Sequence, residues 1–401
     1  MASLEKPDRV SIKQLDELTI GKIAAGEVVE RPAQVVKELV ENSIDAGANR
    51  VRVEIERGGF DRITVIDDGH GIPKDELSLA ITRHATSKLS SPDDLSRIET
   101  KGFRGEALAS IGAVSELVVA SRIGDGDGVQ IRVDNGIVGD VEAAGIAPGT
   151  RIDVLSLFAK VPARLSFQRR PSTETAAIVD VGVQMALAEP NAGILIEVDG
   201  RKVLDCPPTE SAEDRLYDLF GSTSSELIPL TSSQADSDAP GGEKWTGWIS
   251  PPGLNRSRAD DVHILVNGRP VSPGPFLQSV RRGYHTRLMV GRHPIGVLLL
   301  SLPANEVDVN VHPTKREVRL KNSWRVLERL ERSIKHTLSQ IATRPEASED
   351  TVLEGISERA GPIPPESPAT NLPEWASAAS EIHTVQTRFS SIRSSVETTA
   401  R

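Results

Sequence analysis

The run Val35–Ala48, VVKELVENSIDAGA, constrains this chain most, because its apolar and polar residues separate only when it is wound as a helix. At 100° per residue, Val35, Val36, Leu39, Val40 and Ile44 fill one side, while Glu38, Asn42 and Asp45 share a stripe on the other. Pro32 suits a first helical turn and Gly47 suits a stop. Taken alone, a carboxylate and a carboxamide on an amphipathic helix are most often a solvated face. The motifs downstream change that reading.

A chain of 401 residues holds two or three units at about 150 residues each. Hydrophobic residues at 38% and charged residues at 26% describe a globular body. Aromatic residues at 3% argue against base-stacking platforms for single strands. The net charge of -10 exerts no global pull on nucleic acid, so any such binding rests on a local basic patch. A single cysteine, Cys206, excludes an internal disulfide and a cysteine zinc cluster. The start MASLEKPDRVS lacks the apolar core of a signal peptide, and no run approaches membrane-spanning length, so a cytoplasmic protein is expected.

After the helix, VRVEIE and RITVID alternate as strands around a GGFD turn, and the second strand ends at Asp67 in DDGHGIP. Gly69 and Gly71 would leave room there for a flat ligand, and Asp67 could accept a proton from an exocyclic amino group such as that of adenine. A plain glycine turn fits the same residues. A short helix near Lys74–Thr82, the polar RHATSKL, and KGFRGEALASIG follow. In the last of these, glycines precede a small-residue helix whose N-terminus would favour phosphate, or the loop merely turns into a packed helix. It is not a P-loop. SELVVASR, VQIRVDN and TRIDVLSLF read as an antiparallel layer, with a helix at Thr175–Ala188 and a hairpin in GILIEVDGRKVLD.

The sequence divides into a first domain at 1–208, a compact α+β domain at 209–341, and a tail at 342–401 rich in Pro, Ser, Thr, Ala and Glu that reads as disordered. Basic residues cluster at Arg281, Arg282, Arg287 and Arg292, and at Arg164, Arg169 and Arg170. The histidines show no close metal-ligand spacing, so no nuclease centre is expected.

E-x-x-x-N on a helix, DDGHG at a strand tip and KGFRGEA at a loop-to-helix junction resemble, in order and spacing, the ATP-binding fold of DNA gyrase, heat-shock chaperones, histidine kinases and MutL. The runs IAAGEVVERPAQVVKELVENSIDAGA, RHATSKL, KGFRGEALASIGAVSEL, VNGRPV and VDVNVHPTKREVR narrow the resemblance to the MutL family of mismatch repair ATPases, over roughly Ile12 to Ile341. The resemblance implies an α+β chain: a two-layer α/β sandwich that binds ATP, then a smaller domain of ribosomal-protein-like fold. It implies a nucleotide-gated, dimeric clamp on DNA that couples a mismatch-recognition protein of the MutS type to later repair factors.

The resemblance also assigns roles. Glu38 would be the general base beside the metal, and Asn42 would ligate Mg²⁺. Asp67 would read adenine, with Gly71 and Thr150 beside the base. Thr86, Ser87 and Lys88, with Gly102, Phe103, Arg104, Gly105, Glu106, Ala107 and Leu108, would form a lid over the phosphates. Lys315 would reach the γ-phosphate as a point charge. From the basic clusters rather than the resemblance, Arg281, Arg282, Arg287 and Arg164 are expected to contact duplex backbone without reading sequence. The family's FYNTPAR-like run is replaced here by Phe158 followed by AKVPAR, with Lys160 and Val161 at the departing positions. Rival readings are the ATPase subunit of a type II topoisomerase, which would lead to cleavage machinery, and a nucleotide-gated binding module without hydrolysis, against which an intact Glu38 speaks.

Overall fold

A computed structural model describes residues 14, 16, 19–21, 25, 29–88, 105–231, 242–308 and 318–342. The tail and its expected disorder lie outside these residues. The chain splits into two compact units, one holding Met1–Ala186 and Pro190–Glu210, the other Leu187–Glu189 and Ser211–Arg401. Both are α+β.

In the first unit, helix α1 (Pro32–Asp45) begins with Pro32 in the first turn, where a missing N–H costs nothing. The helix starts three residues before the apolar run and ends at Asp45, where the amides of Ala46 and Gly47 cap the carbonyls of Asn42 and Ile44. Val35, Val36, Leu39 and Val40 are almost wholly buried. Each contributes about 1.5–3 kcal/mol of apolar burial. Ile44, expected among them, is only half-buried, while Gln34, Lys37 and Glu41 are buried. Thus α1 is enclosed on more than its apolar side.

The helix packs on strands β1 (Arg50–Glu56) and β2 (Arg62–Asp67) and touches the short helix α2 (Ala107–Gly112). The sheet continues with β3 (Glu116–Arg122), β4 (Val129–Asp134), β5 (Ile137–Ala143), β6 (Gly149–Leu155), β7 (Gly193–Val198) and β8 (Arg201–Cys206). Their order is β5-β4-β3-β6-β2-β1-β7-β8. Two helices, α3 (Pro162–Ser166) and α4 (Pro171–Ala188), join β6 to β7. Strands β3, β4 and β6 pair antiparallel as expected, while the crossover brings β7 parallel to β1. The helix expected at Lys74–Thr82 is one turn, Leu77–Ala80.

The second unit holds α5 (Ala212–Phe220), β9 (Ile228–Pro229), β10 (Lys244–Ile249), β11 (Asn255–Arg256), β12 (Val262–Val266), β13 (Arg269–Val271), α6 (Gly274–Tyr284), β14 (His293–Pro294), β15 (Gly296–Ser301) and α7 (Ser323–Ala342). Its main sheet runs β13-β12-β15-β10-β9, while β11 and β14 pair separately. Phe276, Val280 and Tyr284 of α6 and Val326, Leu330, Ile334 and Leu338 of α7 share one core with that sheet. At Gly283 a Cβ would stand 2.6 Å from Cβ of Ile334, so only glycine lets the two helices pack this closely. Among the described residues no helix is long and apolar enough to cross a membrane.

Candidate functional site

Register places the site. Asp67 ends β2 opposite Thr150 of β6, and Thr150 stands opposite Ser121 of β3, so these residues form a row across three adjacent strands. The Asp67 carboxylate accepts the Ser43 hydroxyl on Oδ2 at 2.7 Å, and the amides of Gly69 and Thr150 on Oδ1 at 3.0 and 3.2 Å. Burial pushes its pKa above the ordinary carboxylate value, and these hydrogen bonds, led by that from Ser43, oppose the shift. Ser121 Oγ accepts the amide of Ile72 at 2.7 Å, donates to the Gly149 carbonyl at 3.0 Å, and lies 3.2 Å from Thr150 Oγ1. Ser43, Ser121 and Gly149 thus orient the row, although nothing in their local sequence singles them out.

The glycines at the strand tip have a reason other than ligand clearance. A Cβ on Gly71, at φ +76°, would meet the Arg122 carbonyl oxygen at 2.5 Å, and one on Gly69 would meet the Ala46 carbonyl oxygen at 2.9 Å. Gly149, at φ +118°, would drive a Cβ into the backbone carbonyl of Asp67. Close packing of backbone around the Asp67 tip therefore demands these residues.

Glu38 and Asn42 are both half-buried on α1, one turn apart. Lys88 Nζ lies 2.9 Å from Asn42 Oδ1 and 2.6 Å from Asp45 Oδ2, which brings Lys88 onto the stripe expected to hold the cation. An ammonium group already standing among these oxygens is a stand-in for a hard cation, and a carboxamide oxygen suits magnesium, which keeps few protein ligands. The donor set fits that ion. The Lys88 amide donates to Thr86 Oγ1 at 3.2 Å.

Gly105, at φ +61°, packs so closely on Ala85 that a Cβ would strike its carbonyl oxygen, and His84 Nδ1 lies 3.3 Å from Glu106 Oε1. The two motifs expected to form a lid are thereby adjacent at Ala85 and Gly105. Glu106 stands at the N-cap of α2, and Ala107 and Leu108 are its first two residues. Ser87 is described and exposed. Gly102, Phe103, Arg104 and Lys315 lie outside the described residues.

At the departing positions, Lys160 Nζ holds the Asp134 carboxylate at 2.8 and 3.0 Å, and this bond lowers the pKa of Asp134. The Val161 amide donates to the Phe158 carbonyl at 2.8 Å. Lys160 therefore makes a surface pair, while the turn at Val161 is a backbone feature that its side chain does not supply.

The arginines separate by environment. Arg281 Nη2 donates to Nε2 of buried His293 at 3.1 Å. Desolvation, then the Arg281 charge, lowers the His293 pKa, consistent with a neutral ring accepting this bond. Arg282 stands 3.8 Å from Glu331, and Arg287 is exposed on the turn after α6. Arg164 is half-buried and its pKa is lowered by desolvation.

The family model described as "Histidine kinase-, DNA gyrase B-, and HSP90-like ATPase" matches residues 30–147, and "DNA mismatch repair protein, C-terminal domain" matches residues 217–339. "DNA mismatch repair protein MutL" from Rhizorhabdus wittichii is 46% identical over 315 residues, 78% of this chain and 52% of its own length. The protein of the same description from Acidiphilium cryptum is 46% identical over 309 residues, 77% of this chain and 52% of its own length. The chain thus spans about half the length of these relatives.

Among solved structures, "Crystal Structure of N terminal domain of a DNA repair protein" shares the fold with a TM-score of 0.68 and 24% identity, covering 80% of this chain and 98% of that one. "Aquifex aeolicus MutL ATPase domain complexed with ADP" gives a TM-score of 0.51 and 26% identity, covering 69% and 93%. With one matched region containing the α1 stripe and Asp67, and the other spanning most of the second unit, the chain belongs to the MutL family of DNA mismatch repair proteins.

Proposed function

We propose that the chain binds ATP with Mg²⁺ at the Asp67 row and the α1 stripe and hydrolyses it slowly to ADP and phosphate. The observation that carries this reading is the Asp67 carboxylate, buried and fixed by donors from Ser43, Gly69 and Thr150. Its two oxygens offer about four lone-pair sites, so one acceptor position remains for an exocyclic amine. Such an acceptor favours adenine over guanine, which presents a carbonyl at the equivalent place. Gly71 and Thr150 flank the base.

Glu38 orients a water and takes its proton as the water attacks the γ-phosphate, a role worth roughly 10²–10⁴-fold in rate. Asn42 would supply Mg²⁺ with its carboxamide oxygen, with Glu38 as the neighbouring carboxylate one helical turn away. Magnesium, when bound, neutralises charge on the phosphate oxygens. Thr86, Ser87, Lys88 and Gly105 through Leu108 enclose the phosphates.

Titrating ATP, GTP and a nonhydrolysable ATP analogue with and without Mg²⁺ tests the reading. Tight, Mg²⁺-dependent binding of ATP over GTP is expected; equal or absent binding overturns it.

Nucleotide binding favours pairing of two copies, because a ligand shifts an equilibrium only toward the state it binds better. The paired form acts as a clamp that holds duplex DNA by its backbone and answers to a mismatch-recognition protein of the MutS type. Light scattering that detects no dimer with analogue and Mg²⁺ at high protein concentration would contradict the clamp.

A further inference from the structure

Asp45 has no assigned part in this chemistry, yet it makes the shortest polar contact of Lys88. We propose that Asp45 is the positioning residue for Lys88, holding its ammonium on Asn42 while nucleotide is absent and releasing it when the metal and phosphates arrive. The proposal rests on the reading of Asn42 as a ligand of Mg²⁺.

Three observations carry it. The contacts are 2.6 Å to Asp45 Oδ2 and 2.9 Å to Asn42 Oδ1, from one nitrogen. The pair is sheltered, with side-chain exposure of 20% for Lys88 and 8% for Asp45, so it is not a wet surface contact whose strength water cancels. Finally, Asn42 and Asp45 lie three residues apart on α1, adjacent on one helix face, so a single ammonium can bridge them.

Magnesium sits about 2.1 Å from an oxygen ligand. On the Asn42 oxygen it would come close to an ammonium that keeps its present place, and like charges at that range repel strongly in a partly shielded site. Exchange therefore replaces co-occupation: Lys88 leaves Asp45, and its charge moves toward the phosphates. The Asn42 oxygen thus meets a cation at both stages. Nucleotide affinity is lowered by the fraction of molecules in which Lys88 remains held.

The test is a double-mutant cycle on nucleotide affinity together with deuterium exchange of the free protein. Asp45→Asn keeps the shape and removes the charge. Alone, it is expected to tighten Mg²⁺–ATP-analogue binding several-fold, and to speed exchange of the Lys88 amide, which now donates to Thr86 Oγ1. In a Lys88→Met background, Asp45→Asn should change affinity by less than about twofold, because its effect runs through Lys88.

Equal tightening in both backgrounds would mean a general charge effect and would overturn the proposal. So would unchanged amide exchange. Should Asp45→Asn not fold, Lys88→Met must speed exchange at Thr86–Lys88 in its place, and protection equal to wild type sinks the idea. Wild-type protein runs in parallel: its failure to bind the analogue removes the ATP reading itself, whereas wild-type binding with no coupling removes only the role of Asp45.

Discussion

The Ser43 hydroxyl donates to Oδ2 of Asp67 at 2.7 Å, tying the helix that carries Glu38 and Asn42 to the strand tip proposed to read the base. Ser43 is buried, and the Leu39 carbonyl oxygen, 3.2 Å from its Oγ, is the longer, alternative acceptor for the same proton. Ser43→Ala removes the strongest bond opposing the upward shift of the Asp67 pKa. It should cost about 1.5–3 kcal/mol, the range for a hydrogen bond to a charged group. The pH midpoint of nucleotide binding should also move upward. Urea melts and titrations across pH check both.

Asp67→Asn separates stability from binding. The folded-state pKa of Asp67 lies above its unfolded value because of burial. Its contribution to stability is therefore full below the unfolded pKa and lost as pH rises through the folded pKa. Removing the charge at neutral pH should leave the melting temperature unchanged or higher, since Asn can still accept the amides of Gly69 and Thr150 on its oxygen. ATP affinity should fall roughly tenfold or more, by the worth of one charged hydrogen bond. A lower melting temperature with ATP affinity intact would contradict this assignment. In wild type, affinity should weaken as acid protonates Asp67, at a pH above the ordinary carboxylate range.

Gly149→Ala and Gly200→Ala make a matched pair. Both glycines have positive φ, +118° and +77°, but only at Gly149 would a new Cβ collide, with the Asp67 backbone; at Gly200 nothing lies within 4 Å. Gly200→Ala should cost about 1–2 kcal/mol from conformation alone. Gly149→Ala should cost clearly more and displace Asp67, weakening nucleotide binding. Equal melting shifts would mean that the close approach of β6 to Asp67 is not needed.

The helical stripe was legible in the sequence because a period of 3.6 is a local property, and Glu38, Asn42 and Asp45 sit within one run. The row of Asp67, Thr150 and Ser121 was only partly so. Asp67 ended a visible alternation, but its neighbours depend on pairing between β2 and β6 and between β6 and β3, which join residues 83 and 29 positions apart. Strand β5 escaped notice because IVGDVEA is exposed or half-exposed throughout and has no buried alternation to reveal it. Lys88 lay in a recognisable motif, but its grip on Asp45 comes from a fold that joins residues 43 positions apart.

The arginines give a contrast in solution. Arg287 is exposed, whereas desolvation has already lowered the Arg164 pKa. Arg287→Ala should weaken DNA binding across all sequences and reduce the salt slope by about 1. Basal ATP hydrolysis should stay near wild type. Arg164→Ala should act more on stability, through lost packing of its stem. Fluorescence anisotropy over a salt series decides, and an unaltered slope for Arg287→Ala would remove it from the DNA path.

Glu38 is proposed to perform the chemistry while Asn42 holds the metal. The most direct measurement is ATP-analogue binding beside phosphate release for Glu38→Ala and Asn42→Ala. Glu38→Ala should bind with near wild-type affinity and lose roughly 10²-fold or more of its turnover. Asn42→Ala should lose the Mg²⁺-dependent part of binding as well. Phosphate release by Glu38→Ala at the wild-type rate would exclude Glu38 as the general base.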